Sequence, residues 1–411
     1  VRSSLRHAVF VTAGVVAASL AVATPAGAAN AAPWRQADYG AARSSFNSNE
    51  TIVTAASIAQ VAFRLSRKAP PVNPALAGCG GGVATQPVVV DHRMFVVLTG
   101  RLYAIDLTNG HTLWSVDLDT TLATFYPNLA VVGTNVIVAR EDCISQSDPS
   151  GSVTAFNIST GAQVWNQFFD PGPLNMTVWN GHVLFTGFEA GGAGDLVSLS
   201  PTTGAVQWQY APGTCDGLGR PIVVRNVVIV EGCAPDLSPR LEGHSLSTGA
   251  VVWHKVGDWD VQRGDSAGAG GDTAYAVNNA TGALTALNPA TGATRWAKTG
   301  VGDALAVDAT HVYTDCDANT LCALRPSNGS VAWQSSQFGL GGHPVAVAGG
   351  LVFSGGAFDT VVRAADGTEV PDQLGFGFSI WSTPVSTLAV ANGRIVVSAG
   401  RIVDVYAVPG A

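Results

Sequence analysis

Apolar residues in this chain come in short runs of β-branched side chains set between polar turns. Pro87-Val88-Val89-Val90, Asn135-Val136-Ile137-Val138-Ala139 and Pro221-Ile222-Val223-Val224 are examples. Runs of this length and composition predict buried strands, and no window keeps the 3.6-residue period of an amphipathic helix. The most informative stretch runs from Ala286 to Trp296, Ala-Leu-Asn-Pro-Ala-Thr-Gly-Ala-Thr-Arg-Trp. Ala286 and Leu287 end one strand. Asn288 can bond its own backbone, Pro289 pre-sets φ and Gly292 supplies a positive φ, so a tight turn follows. A second strand then carries Trp296 outward.

This unit recurs. The turn glycines are Gly110, Gly161, Gly204, Gly249, Gly292 and Gly329. Each stands four residues before a tryptophan: Trp114, Trp165, Trp208, Trp253, Trp296 and Trp333. Successive tryptophans are 51, 43, 45, 43 and 37 residues apart. A repeat of ~40–45 residues with about four short strands per unit predicts the blades of a β-propeller. Each tryptophan ends an outermost strand on the side that meets the next blade. Burial there predicts a structural clasp, worth ~3–5 kcal/mol on truncation.

A degenerate seventh copy runs from Arg363 to Val370, with Pro371 near the tryptophan position. A last unit runs from Ser386 to Val408 and stops where its fourth strand should begin. Far upstream, Val61, Phe63 and Leu65 alternate with Ala62, Arg64 and Ser66 in a strand that has no partner nearby. Pairing this segment, residues 58–66, with the last unit closes the ring and removes two exposed sheet edges. The expected architecture is all-β, an eight-bladed propeller closed by an N-terminal strand, with seven blades as the alternative count. The expected divisions are residues 1–28, a lead-in and Pro/Gly linker over 29–82, and the propeller over 83–411.

Residues 1–28 have the pattern of a secretory signal: Arg2 and Arg6, an apolar stretch from Ala8 to about Ala23, then Ala26-Gly27-Ala28. No later stretch approaches the ~20 apolar residues of a membrane span. Charged residues make up only 12% of the chain and the net charge is −8, which argues against disorder and against a nucleic-acid partner. The even set Cys79, Cys143, Cys215, Cys233, Cys316 and Cys322 predicts three disulfides in an exported protein. Cys316–Cys322 is expected to close a hairpin. Cys215–Cys233 and Cys79–Cys143 are the candidate remaining pairs.

Local motifs point to no chemistry. Gly264-Asp265-Ser266-Ala267-Gly268 fits a hydrolase pattern, but no helix follows to form the elbow that chemistry needs. Asp315-x-Asp317-x-Asn319 starts like a calcium loop but lacks its sixth-place glycine and twelfth-place acid. The eight histidines are scattered, so no metal site is expected. Two stretches could serve a binding face: Asp258-Trp259-Asp260, dense in charge for this chain, and the aromatics Phe376, Phe378 and Trp381 before the last unit.

The Ala-Leu-Asn-Pro-x-Thr-Gly-x-x-x-Trp motif resembles the tryptophan-docking repeats of the pyrroloquinoline quinone (PQQ)-like, or quinoprotein-type, propellers. Trp34, Gly40, Arg43, Asn47, Glu50 and the strand after Thr54 are similar to the lead-in of its secreted members. The resemblance spans residues 34–411. It implies either of two functions, since the superfamily holds quinoprotein alcohol dehydrogenases and an outer-membrane assembly lipoprotein. Dehydrogenases of this kind hold PQQ over Ca²⁺ at the ring axis, often beneath a disulfide of adjacent cysteines. No two cysteines are adjacent here, and no catalytic Asp can be matched. The expectation is therefore a secreted, monomeric, non-catalytic module. Its partner is a protein, a peptide or a cell-envelope glycan, and a PQQ- and calcium-dependent alcohol or sugar dehydrogenase is the alternative.

Overall fold

The computed structural model describes residues 32–71, 85–118, 124–142, 150–187, 194–212, 218–265, 272–317, 319–336, 345–354, 361–370 and 386–411. The expected signal segment, the linker from residue 72 on, Cys79, Cys143, Cys215, Phe376, Phe378 and Trp381 lie outside the described residues. Residues 31–411 form one compact unit.

The described strands make eight four-stranded sheets, so the seven-blade count is excluded. Blades 1 to 6 cover residues 88–117, 124–169, 173–210, 222–256, 259–298 and 304–336, each an antiparallel meander in sequence order. Every apolar cluster is shared by neighbouring blades. Val88, Phe95 and Leu102 of blade 1, for example, meet Leu129, Val136 and Phe156 of blade 2. A strand buried on both faces needs apolar residues on both, which explains the continuous β-branched runs.

Blade 8 (residues 387–407) takes its fourth strand from Ala62–Lys68, which pairs antiparallel with Ile402–Ala407. The ring thus closes as expected, but the strand begins later than its alternation implied. Ile58–Gln60 is a 3₁₀ turn instead of strand. Its cause is local: the Ser57 hydroxyl accepts from the Thr54 amide at 2.9 Å and donates to the Ile52 carbonyl at 2.5 Å, so the chain bends there. A bulge between Phe63 and Leu65 then shifts the phase, leaving Phe63 55% exposed against Tyr406 while Leu65 turns toward blade 1.

Blade 7 departs most from the repeat. Its strands Val345–Ala348, Leu351–Ser354 and Val361–Arg363 are joined on the inner side by Phe46–Asn47, which runs parallel to Val347–Ala348. On the outer side the described residues show only a single bridge, Val362 to Glu369. The lead-in supplies this blade with an inner strand.

Candidate binding site at the ring axis

The rim of the ring is built by repetition. In the Asn288 turn, the Asn288 side chain accepts from the Ala290 amide at 2.9 Å, and the Gly292 amide donates to the Asn288 carbonyl at 2.8 Å. Gly292 sits at φ +68°. A Cβ at Gly161, Gly204, Gly249, Gly292 or Gly329 would come within 2.5 to 2.7 Å of the preceding blade's tryptophan. These glycines are therefore fixed by close approach as well as by backbone. Each indole N–H donates, at 2.7 to 3.2 Å, to the carbonyl three residues before the next blade's turn glycine. The acceptors for Trp114, Trp165, Trp208, Trp253, Trp296 and Trp333 are Ile158, Pro201, Leu246, Pro289, Pro326 and Ala364. Gly367 of the degenerate copy still meets Trp333, and Gly110 meets Leu65, which stands in blade 8 where the others carry tryptophan.

The hub is built once. Inner strands present an open edge of N–H and C=O groups to the axis, and those groups need partners. Residues 32–50 supply them, visiting all eight blades in order. Trp34 exchanges two bonds with Val89 of blade 1, at 2.7 and 2.8 Å, and the Arg35 carbonyl accepts from Val131 of blade 2 at 2.7 Å. The Gln36 amide spans blade 3, donating to the Val178 carbonyl at 3.0 Å and accepting from its N–H at 2.8 Å. Carbonyls of Ala41, Ala42, Ser44 and Ser45 accept from Val223, Gly264, Val307 and Val347, in blades 4 to 7, at 2.7 to 2.8 Å. Asn47 donates to Val390 of blade 8 at 2.9 Å, and Glu50 accepts from the Gly393 amide at 3.1 Å.

All these contacts fall near the ends of the inner strands that lead into their first turns, so the lead-in closes one face of the axis. To curve this tightly it places Asp38, Tyr39, Arg43 and Ser45 at φ between +52° and +76°. Such strain, of order 1–3 kcal/mol per residue, persists only where surrounding bonds over-determine it.

One ion-pair network locks the curve. Asp38 pairs with Arg43 and, at 2.9 Å, with Arg263 of blade 5, which also donates to the Arg43 carbonyl at 2.9 Å. Burial pushes the Asp38 pKa up, but the two guanidiniums outweigh it and hold the carboxyl well below its ordinary range. Burial, with Arg43 close by, pulls Arg220 down. Toward the other end of the same inner strand the charge reverses. Burial, reinforced by Asp260, raises Glu231 to about 7 even though its carboxylate accepts from the Val261 amide. Asp303 is raised by burial and by Asp260 and Asp315.

On the face that the lead-in closes, the described residues do not fit a quinone cofactor held over calcium. The lead-in fills the mouth of the axis, Asp38 engages Arg43 and Arg263, and among the described residues no three carboxylate, histidine or cysteine groups are placed to hold a metal. A solvent-open cleft does lie over the lead-in on its outer side. It measures about 600 Å³ and is bordered by Arg35, Tyr39, Ser48, Asn49, Trp179 and Asn180 among others.

The residues of the expected binding face divide. Trp259 is 7% exposed, its N–H bonded to the Val256 carbonyl at 3.2 Å, so it is part of the seam between blades 4 and 5 and not a surface contact. Asp258 and Asp260 are exposed, Asp258 accepting from Asn279 at 3.0 Å and Asp260 from Gln262 at 2.5 Å. Gly264 ends the inner strand of blade 5 with its amide on the lead-in, while Ser266 lies outside the described residues. Cys316–Cys322 is a disulfide closing a hairpin of blade 6, with Asp317 bonded to the Asn319 amide inside it. Cys233 is disulfide-bonded, and its expected partner Cys215 lies outside the described residues. Sequence reasoning named Arg43, Asn47 and Glu50 by resemblance but missed Gln36, Asp38, Tyr39, Trp179 and Arg263. The available signal was Arg263, a lone cation in an otherwise inner-strand pattern.

The family model described as outer membrane protein assembly factor BamB matches this chain over residues 34–230, 149–299 and 240–339. Quinohemoprotein alcohol dehydrogenase ADHIIG from Pseudomonas putida HK5 superposes with a TM-score of 0.63 at 14% identity, covering 92% of this chain and 81% of that one. The quinohemoprotein alcohol dehydrogenase of Comamonas testosteroni gives 0.61 at 15% identity with the same coverages. The computationally designed Ika8 protein gives 0.59 at 15% identity, covering 80% of this chain and 96% of its own. At such identities the likeness is one of fold. No curated protein matches the chain in sequence.

Proposed function

We infer that this chain, which belongs to the PQQ-like repeat family of the outer membrane protein assembly factor BamB, works as an exported, non-catalytic binding propeller. It holds a protein or cell-envelope partner on a rigid frame. The observation that carries this reading is the lead-in. Residues 32–50 bond to the inner strand of every blade and close one face of the ring axis. A face closed by backbone in this way presents surfaces rather than reacting groups. The family takes its name from an outer membrane protein assembly factor, which agrees with a frame of this kind.

Export is supported by the signal pattern of residues 1–28 and by disulfides, which persist in oxidising compartments. No helix among the described residues is long and apolar enough to cross a membrane.

The test is direct. Purified protein receives PQQ and Ca²⁺, and both its melting temperature and dye-linked alcohol or sugar oxidation are followed. The reading predicts no change in the first and no turnover in the second. Turnover that depends on PQQ would replace it with the dehydrogenase reading.

A further inference from the structure

The cleft over the lead-in is lined by Trp179 and Tyr39 together with exposed polar residues. Trp179, at the end of the inner strand of blade 3, is 42% exposed, whereas four of the six rim tryptophans are 8 to 9% exposed. Its N–H is already bonded to the Arg225 carbonyl at 3.0 Å, which fixes the ring and leaves indole surface open to solvent. Tyr39 is held at φ +76°, a conformation rare for a bulky residue, and is braced edge-on by Trp34 at 5.3 Å between ring centres. The Asn49 amide donates to the Tyr39 hydroxyl at 3.3 Å. Ser48, Asn49 and Asn180 are exposed, adding hydroxyl and amide groups around the two rings.

The charge of the cleft is equally specific. Arg35 is exposed and its guanidinium makes no bond to any described residue. Among the described residues lining the cleft none is acidic, although the chain as a whole carries a net charge of −8. Fixed aromatic surface ringed by amides and hydroxyls suits a ligand with apolar faces and many hydroxyls. A guanidinium with no hydrogen bond among the described residues suits a carboxylate, which it can bind through two parallel bonds. A volume of about 600 Å³ is in the range of small-ligand sites.

We propose that this cleft binds a short acidic saccharide, stacking a sugar ring on Trp179 and Tyr39 and placing a sugar carboxylate on Arg35. The proposal rests on the reading of the chain as a binding propeller and gives that reading a ligand class.

The test is calorimetric titration of the full chain with trigalacturonate, with neutral maltotriose and with triglutamate as a peptide of like charge. The proposal predicts saturable binding of trigalacturonate, binding of maltotriose weaker by roughly tenfold, and no binding of triglutamate. Trp179→Ala should weaken trigalacturonate by about tenfold or more. Arg35→Gln should erase the preference for the acidic sugar while leaving the melting temperature unchanged, because that guanidinium bonds to nothing described. Circular dichroism and melting of Trp179→Ala separate lost stacking from lost fold. Absent binding of trigalacturonate, equal binding of maltotriose, binding of triglutamate as tight as the sugar, or affinities unmoved in both variants would each overturn the proposal. With PQQ inert in the same preparation, such a failure leaves the binding-propeller reading standing. PQQ-dependent turnover removes that reading whatever the sugars do.

Discussion

The rim and the hub of this propeller hold the same eight sheets together by opposite means. At the rim one device is repeated: an indole N–H on a carbonyl of the next blade, with a glycine flat against the ring. At the hub a single stretch of chain does the work once, using a different residue for each blade. The difference follows from radius. Neighbouring sheets diverge outward, so each seam needs its own large wedge. At the axis the inner edges converge, and one turn of backbone reaches them all. Rim contacts are thus local and nearly independent, while hub contacts are shared and cooperative.

Perturbations of increasing subtlety separate the two. Deleting residues 32–54 removes bonds to all eight blades and is expected to abolish the cooperative thermal transition seen by circular dichroism. Trp296→Ala at the rim should instead lower stability by ~3–5 kcal/mol in chemical denaturation and leave one transition. If the deletion behaved no worse than Trp296→Ala, the hub would be no hub. Gly292→Ala adds a Cβ 2.5 Å from the Trp253 ring at φ +68° and should cost roughly 2–4 kcal/mol. Gly282→Ala, at φ +63° in open space, should cost only about 1 kcal/mol. The gap between them measures the clasp itself.

Charge gives the smaller effects, and their signs differ. The Asp38 carboxyl is held below its unfolded pKa, so its stabilisation is complete above about pH 4 and is lost as pH falls further. Asp38→Asn should cost about 2 kcal/mol at neutral pH, leaving two guanidiniums unpaired, and should flatten the acid limb of the stability curve. Glu231 is raised to about 7, so the folded state binds its proton more tightly than the unfolded chain does. Stability from this group is present below about pH 4.5 and declines as pH rises toward 7. Glu231→Gln should remove that decline, a change of order 1–2 kcal/mol after allowing for solvent screening.

The same contrast explains what could be read from the sequence. The rim was legible because it is written six times, so the spacing of Gly110 and Trp114 gains meaning from Gly161 and Trp165. Closure by residues 62–68 was legible because an unpaired strand and an incomplete sheet each lacked a partner. The start of that strand was not, because the Ser57 hydroxyl bonds that bend the chain leave no trace in a period-two pattern. The hub was scarcely legible. Gln36, Asp38 and Ser45 look like ordinary loop residues, and their roles depend on partners such as Val178 and Arg263 more than 100 positions away in the chain. Trp259 illustrates the reverse error, since two flanking aspartates gave a buried seam residue the look of a surface one. Trp179 escaped notice because nothing repeats it.

The most direct measurement of the central claim is hydrogen exchange of the native protein, followed by mass spectrometry at the amides of Trp34, Val131, Val223, Gly264, Val307 and Val347. These amides bond the lead-in to blades 1, 2, 4, 5, 6 and 7. The account predicts that they exchange only with global unfolding, as slowly as the central strands of the blades. Exchange at the rate of exposed loops, with the blade cores still protected, would contradict it.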